Sequence, residues 1–141
     1  MEMMTVLRGK NSGEAYRLLQ LLEQRSAESD ELYTSLEDFL GLLRDKNSLV
    51  RVRGFRLACA QARWDTEGRL DAALDTLLAM LEDDRPTAVR QCLAALPALL
   101  RWKPALSGAV EAKLAALDLS KYRDSMRPLI EKDIAALQEI L

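Results

Sequence analysis

The chain has 141 residues, enough for one domain that buries roughly two-thirds of the surface its unfolded form exposes, so a core forms without disulfides or a structural metal. Twenty basic and 22 acidic residues leave a formal charge of −2, and histidine is absent, which removes the commonest metal ligand and general base. The six glycines are scattered singly, without a phosphate-binding loop, a nucleophile elbow or a dinucleotide turn, so neither a cofactor nor a catalytic set is expected.

The two cysteines, Cys59 and Cys92, fall in separate apolar stretches, read as small buried thiols, and do not close a zinc site alone. The start Met1-Glu2-Met3-Met4 has neither the basic segment nor the apolar run of a signal peptide. No stretch approaches the roughly 18 apolar residues of a membrane span. A soluble, cytoplasmic protein without a membrane partner is expected.

Met1 to Leu7 reads as a helical stub. Lys10-Asn11-Ser12 precedes a helix over Glu14 to Arg25 with Leu18, Leu19, Leu21 and Leu22 as its apolar residues. Asp30 opens a helix that reaches Arg44 and carries Leu32, Leu36, Phe39, Leu40 and Leu43. Asn47-Ser48 starts the next, Ser48 to Trp64. Arg69 to Glu82 follows, with Leu70, Ala73, Leu74, Leu77, Leu78 and Leu81. Pro86 marks the start of Thr87 to Trp102, inside which Pro97 removes an amide and predicts a kink. Pro104 marks Ala105 to Leu117, and Ser120 or Ser125 marks the last helix, Ser125 to Ile140. With Ser125 as N-cap, Pro128 takes the third helical position, where its missing amide has no intrahelical acceptor to lose. Ile130, Ile134, Leu137, Ile140 and Leu141 form an apolar seam that either packs on the preceding helices or joins two copies, so monomer and homodimer stay open. Strand alternation and long linkers are missing, which defines an all-α class and a single domain over 1–141.

The segments repeat. Asp45 to Trp64 returns as Asp84 to Trp102, with Val50-Arg51 recurring as Val89-Arg90 39 residues later, and Lys10-Asn11-Ser12 returns as Lys46-Asn47-Ser48 after 36. Periods of that length mark stacked helical hairpins. About three and a half units result, approximately 1–27, 28–64, 65–103 and 104–141, each an outer helix followed by an inner one.

A turn Asp, then Val-Arg, then a Leu-rich second helix, seen at Asp45/Val50-Arg51 and Asp84/Val89-Arg90, resembles the HEAT-repeat family. A weaker copy is Asp124 with Met126-Arg127 and Pro128. Arg63-Trp64-Asp65, Val89-Arg90-Gln91-Cys92 and the segment Tyr122 to Leu129 also resemble short bacterial HEAT-type proteins. Some of those carry the name of the SufBD iron-sulfur scaffold, whose β-helix implies strand alternation that this sequence lacks. The resemblance implies an α-solenoid that serves as a scaffold or adaptor. It also implies that Arg51 and Arg90, with Arg127 as a third, bridge neighbouring units by binding the turn acids Asp45 and Asp84.

Charge is segregated along the chain. Lys46 to Trp64 holds five basic residues and no acid, and Arg85 to Lys103 holds four and none; Glu28 to Asp45 has six acids and one Arg, and Asp65 to Asp84 seven acids and one Arg. Inner helices are basic and outer ones acidic. In a solenoid the inner helices line the concave face, which then attracts an acidic peptide, a phosphorylated protein or nucleic-acid backbone. The competing expectation is neutralisation across each hairpin.

Arg53, Arg56 and Arg63 share one side of their helix as a basic stripe. Trp64 and Trp102 end the inner helices beside Arg63 and Arg101, placed either to stack on a ligand or to close the apolar layer. Arg53, Arg56, Arg63, Trp64, Arg101 and Trp102 are therefore the candidate binding residues. A non-catalytic adaptor holding another protein or an acidic peptide is expected. Two alternatives remain: a structural subunit of a larger assembly, and a nucleic-acid-binding protein. For the latter, Trp64, Asp65, Arg90, Arg101 and Trp102 offer the residue types that HEAT-like DNA glycosylases, which carry a fuller repeat set, place around a lesion.

Overall fold

Asn11 and Asn47 start the helices that follow them. The side-chain oxygen of Asn11 accepts the amide hydrogen of Glu14 (3.0 Å), and that of Asn47 accepts the amide of Leu49 (2.8 Å), satisfying donors that a first turn leaves free. The computed structural model describes residues 2–141, and among the described residues the chain is all-helical, without a strand. Its helices are α1 (Glu2–Arg8), α2 (Ser12–Glu28), α3 (Leu36–Gly41), α4 (Ser48–Ala60), α5 (Arg69–Ala72), α6 (Leu74–Leu78), α7 (Pro86–Trp102), α8 (Ser107–Ala116) and α9 (Arg127–Gln138). Met1, the first residue of the expected stub, lies outside the described residues.

The four longest, α2, α4, α7 and α9, pack in series: α2 on α4, α4 on α7, α7 on α9. Segments 30–44 and 69–82, expected as single helices, are broken. The first consists of a 3-10 turn at Tyr33–Ser35, α3, and a second 3-10 turn at Leu42–Arg44. The other consists of α5, α6 and a 3-10 turn at Ala79–Glu82. It breaks at Ala73 (φ −96°, ψ 5°), whose amide is shared between the carbonyls of Arg69 (3.2 Å) and Leu70 (3.1 Å). In the first segment Leu36, Phe39 and Leu42 recur every three residues and are all fully buried.

Gly54 permits the tightest crossing. A Cβ there would lie 2.5 Å from the carbonyl oxygen of Phe39 and 2.6 Å from Leu42 Cβ, so only glycine lets α4 approach α3 so closely. Helix α7 runs unbroken through Pro97, whose ring is exposed. Helix α9 starts later than its serine suggested: Met126 is the N-cap without a side-chain bond, and Pro128 falls in the first two positions. The turn before it already closes through the amides of Met126 and Arg127, both bonded to the carbonyl of Arg123 (2.9 and 3.0 Å). Ile130 and Leu137 are buried in the core, with Ile134 and Leu141 packed against it, and Ile140 is exposed. Cys59 and Cys92 are buried, unpaired members of that core. Among the described residues no helix is long and apolar enough to cross a membrane.

Candidate binding groove

Helices α2, α4 and α7 leave between them a groove of about 640 Å³. One part of its lining is small and apolar: Ala60 of α4 and Ala94, Ala95 and Ala98 of α7. The α7 alanines sit one, three and four residues apart, so they share a helix face, and their short side chains let an incoming chain approach the helix backbone. The other part is polar, formed by Glu23, Arg56, Arg63, Gln91 and Arg101, with Trp102 at one end.

Arg56 is held from two sides. Its Nε and Nη2 donate to the two carboxylate oxygens of Glu23 (3.0 and 2.8 Å), and Nη1 donates to Gln91 Oε1 (3.1 Å). The Glu23 hydrogen bond raises the guanidinium's pKa against the opposing effect of burial, and a fork-on-fork pair of this kind fixes both side chains.

Arg63 and Arg101 are placed differently. Arg63 donates through Nη1 to the carbonyl of Ala27 (3.1 Å), and its guanidinium carbon stands 4.6 Å from the ring centre of Trp64 and 5.2 Å from that of Trp102. Arg101 stands 5.2 Å from the Trp102 ring centre. Among the described residues neither forms an ion pair. The two tryptophans thus part company. Trp64 is half-buried and donates its indole N–H to the carbonyl of Ser26 (2.7 Å), tying the end of α4 to α2. Trp102 is 45% exposed, with two guanidinium groups close to its ring.

Arg53 does not belong to the exposed stripe. It is 6% exposed and donates through Nη1 to the carbonyls of Leu7 (2.8 Å) and Gly9 (3.3 Å). These are carbonyls at the C-terminal end of α1, which a cation satisfies, and burial pulls its pKa down. Because α1 packs over this turn of α4, Arg53 holds the fold together, its Nη1 spent on these two carbonyls.

The bridging arginines choose other acids than the repeat register implied. Arg51 donates through Nε and Nη2 to Asp83 Oδ1 (3.1 and 2.5 Å), while Nη1 holds the carbonyls of Asp45 (2.9 Å) and Lys46 (3.0 Å). Arg90 pairs with Asp133 of α9 (2.6 Å), not with Asp84. The carboxylates of Asp45 and Asp83 cap their own turns, accepting the amides of Asn47 (2.9 Å) and Arg85 (3.0 Å). Asp83 therefore matches Asp45, and Asp84 is left exposed, with Lys121 at 3.4 Å. Arg127 pairs locally, with Asp124 (2.9 Å) and the carbonyl of Tyr122 (2.9 Å).

Much of the segregated charge is neutralised between successive segments: Arg56 with Glu23 and Arg69 with Glu37 (2.8 Å each), and Lys113 with Glu82. Lys103 instead closes its own hairpin, onto Asp65 (3.2 Å) and Asp71 (2.6 Å). Arg63 and Arg101 stand outside this pairing, which leaves their charge for the groove.

Asp65 is fully engaged. Its Oδ1 accepts from the Tyr33 hydroxyl (2.6 Å) and the amide of Arg69 (3.0 Å), and its Oδ2 accepts the amide of Leu70 (2.8 Å) and pairs with Lys103. Burial pushes this carboxyl up, but those hydrogen bonds together hold it below its usual value. Burial, reinforced by the bond to Asp65, raises the Tyr33 hydroxyl to about 12. An acid so occupied caps α5 and is not placed to act as a base on a bound molecule. Glu23, Gln91 and the alanines went unrecognised in the sequence. Alanine carries no chemical signal there, and α2, α4 and α7 meet only in the fold. No family model, curated protein or solved structure matches the chain, so the groove's own chemistry bears the functional reading.

Proposed function

We propose that the chain is a short HEAT-like α-solenoid acting as a non-catalytic adaptor, which holds an acidic segment of a partner protein in the groove between α2, α4 and α7. The observation that carries this reading is the pair Arg63 and Arg101, without carboxylate partners among the described residues, close to the exposed Trp102 beside an alanine-lined wall. Planar guanidinium groups match carboxylates in two-point contact. Their stacking on the indole limits their freedom before a partner arrives, which lowers the ordering cost of binding. Repeat packing supports the solenoid: the side-chain hydrogen bonds that leave their own turn join residues between 31 (Lys113 and Glu82) and 46 (Arg53 and Leu7) positions apart, about one repeat length.

A protein partner fits better than nucleic acid. Glu23 contributes a carboxylate to the groove and the whole chain is net negative, at −2. A polyanionic backbone requires the opposite, a continuous basic track.

Fluorescence anisotropy of a labelled glutamate-rich peptide and of single-stranded DNA, at low and near-physiological salt, tests the reading. The peptide is expected to bind the wild type and to lose at least about tenfold in affinity when Arg63→Glu and Arg101→Glu are combined. DNA binding that falls steeply with salt, with no peptide binding, would overturn it.

A further inference from the structure

The groove does not end at Arg56. A second hollow of about 560 Å³ shares Arg56 and Gln91 with it and extends toward the start of α4. Its lining is more apolar: besides these two, Ser12 and the nearly enclosed Arg53, it is formed by Tyr16, Leu19, Leu49 and Val52, and it holds no carboxylate. Tyr16 is 50% exposed and Leu49 41%, while Leu19 and Val52 are buried beneath. Arg56, already committed to Glu23, leans over the Tyr16 ring at 6.0 Å and separates the two hollows.

We infer that the partner segment is bipartite, with acidic residues seated at Arg63, Arg101 and Trp102 and a large apolar side chain seated between Tyr16 and Leu49. This rests on the adaptor reading and specifies the peptide it accepts. Helix α4 and the 3-10 turn at Ala62–Trp64 that follows it measure the separation. Arg63 lines the first hollow and Val52 the second, which at about 1.5 Å per residue places them roughly 17 Å apart. An extended peptide at about 3.3 Å per residue crosses that distance in about five residues. Charge complementarity fixes the acidic end, and exposed apolar rims over a buried apolar base fix the other. A peptide with its acidic and apolar groups adjacent reaches only one hollow.

The test uses fluorescein-labelled synthetic peptides on the full chain: an acidic run alone, an apolar pair alone, and both joined by glycine-serine spacers shorter than, close to and longer than five residues. The joined peptide with the matching spacer is expected to bind about tenfold or more tighter than the acidic run alone. Tyr16→Ser with Leu49→Ser should erase that advantage while leaving the acidic run's affinity unchanged. Both residues are exposed, so the variant is expected to fold, as circular dichroism checks, and Leu21→Ser, exposed but outside both hollows, should change nothing. Equal binding of the acidic run and all joined peptides overturns the bipartite inference and leaves the adaptor reading standing. Loss of the advantage without any dependence on spacer also overturns it. Silence from every peptide overturns both.

Discussion

The Arg51 guanidinium and the Asp83 carboxylate join two turns of the chain, with Arg51 Nε 3.1 Å from Asp83 Oδ1 across 32 residues of sequence. Each partner also holds its surroundings: Arg51 grips the carbonyls of Asp45 and Lys46, and Asp83 caps the amide of Arg85. Arg51→Ala leaves a mostly buried carboxylate without its cation, and Asp83→Ala removes a cap as well. Each is expected to destabilise the chain by about 2 to 3 kcal/mol in urea denaturation. The double variant should cost less than the sum, because the shared bond is lost once. Strict additivity would show that the two side chains act independently.

Gly54→Ala offers a separate check on the packing of α3 against α4. The new Cβ meets a backbone carbonyl at 2.5 Å and another Cβ at 2.6 Å, neither of which yields as the end of a flexible side chain does. A loss of about 3 kcal/mol is expected in chemical unfolding. The gain of a few tenths to about 1 kcal/mol that Gly→Ala brings within a helix where space allows would mean that the crossing is looser.

Asp65 makes stability depend on acid. Its folded pKa is depressed, so the stability it contributes is present above its unfolded value of about 3.9 and is lost as pH falls through the folded value. Asp65→Asn should melt earlier at neutral pH, with the gap to the wild type narrowing as pH drops below about 4. A gap that stays constant with pH would assign the effect to shape alone. Tyr33 works at the other extreme. Its folded value is raised to about 12, so its contribution is complete below its unfolded value of about 10 and is lost as pH rises through 12.

The two tryptophans should behave differently in solution. Trp64→Phe loses the indole bond to the Ser26 carbonyl and is expected to cost about 1 kcal/mol of stability. Trp102→Phe, at an exposed site, should be nearly neutral in stability but should remove most of the quenchable fluorescence. Iodide is expected to quench Trp102 more than caesium does, because Arg63 and Arg101 concentrate anions there. Reversal of both arginines to glutamate should invert the order, and equal quenching by the two ions would deny the groove its charge.

Much of the helical pattern was legible from the spacing of apolar residues, since Asn11, Asn47 and Pro86 announce α2, α4 and α7 in the local sequence. The broken segments were not. Around Ala73, Leu70, Leu74 and Leu77 keep a helical spacing, and from Arg69 to Glu82 there is neither glycine nor proline to mark the break. Arg53 looked like a surface residue because its acceptors at Leu7 and Gly9 lie 46 and 44 positions away. Counting back five residues from Val-Arg pairs Asp84 with Asp45, but α7 has one residue more between its N-cap Arg85 and Val89 than α4 has between Asn47 and Val50, so Asp83, two before the N-cap like Asp45, does the capping. Of the candidate groove residues, Arg56, Arg63, Arg101 and Trp102 come together in the fold, Trp64 turns to α2, and Arg53 is enclosed.

The most direct measurement is a ¹⁵N–¹H correlation spectrum of the chain titrated with a glutamate-rich peptide. Shifts are expected on the Trp102 indole N–H and on the amides of Ala60, Ala94 and Ala98, and none when Arg63→Glu and Arg101→Glu are combined. Shifts confined to the basic turns around Lys46 and Arg85, or unchanged by that double variant, would contradict the adaptor reading.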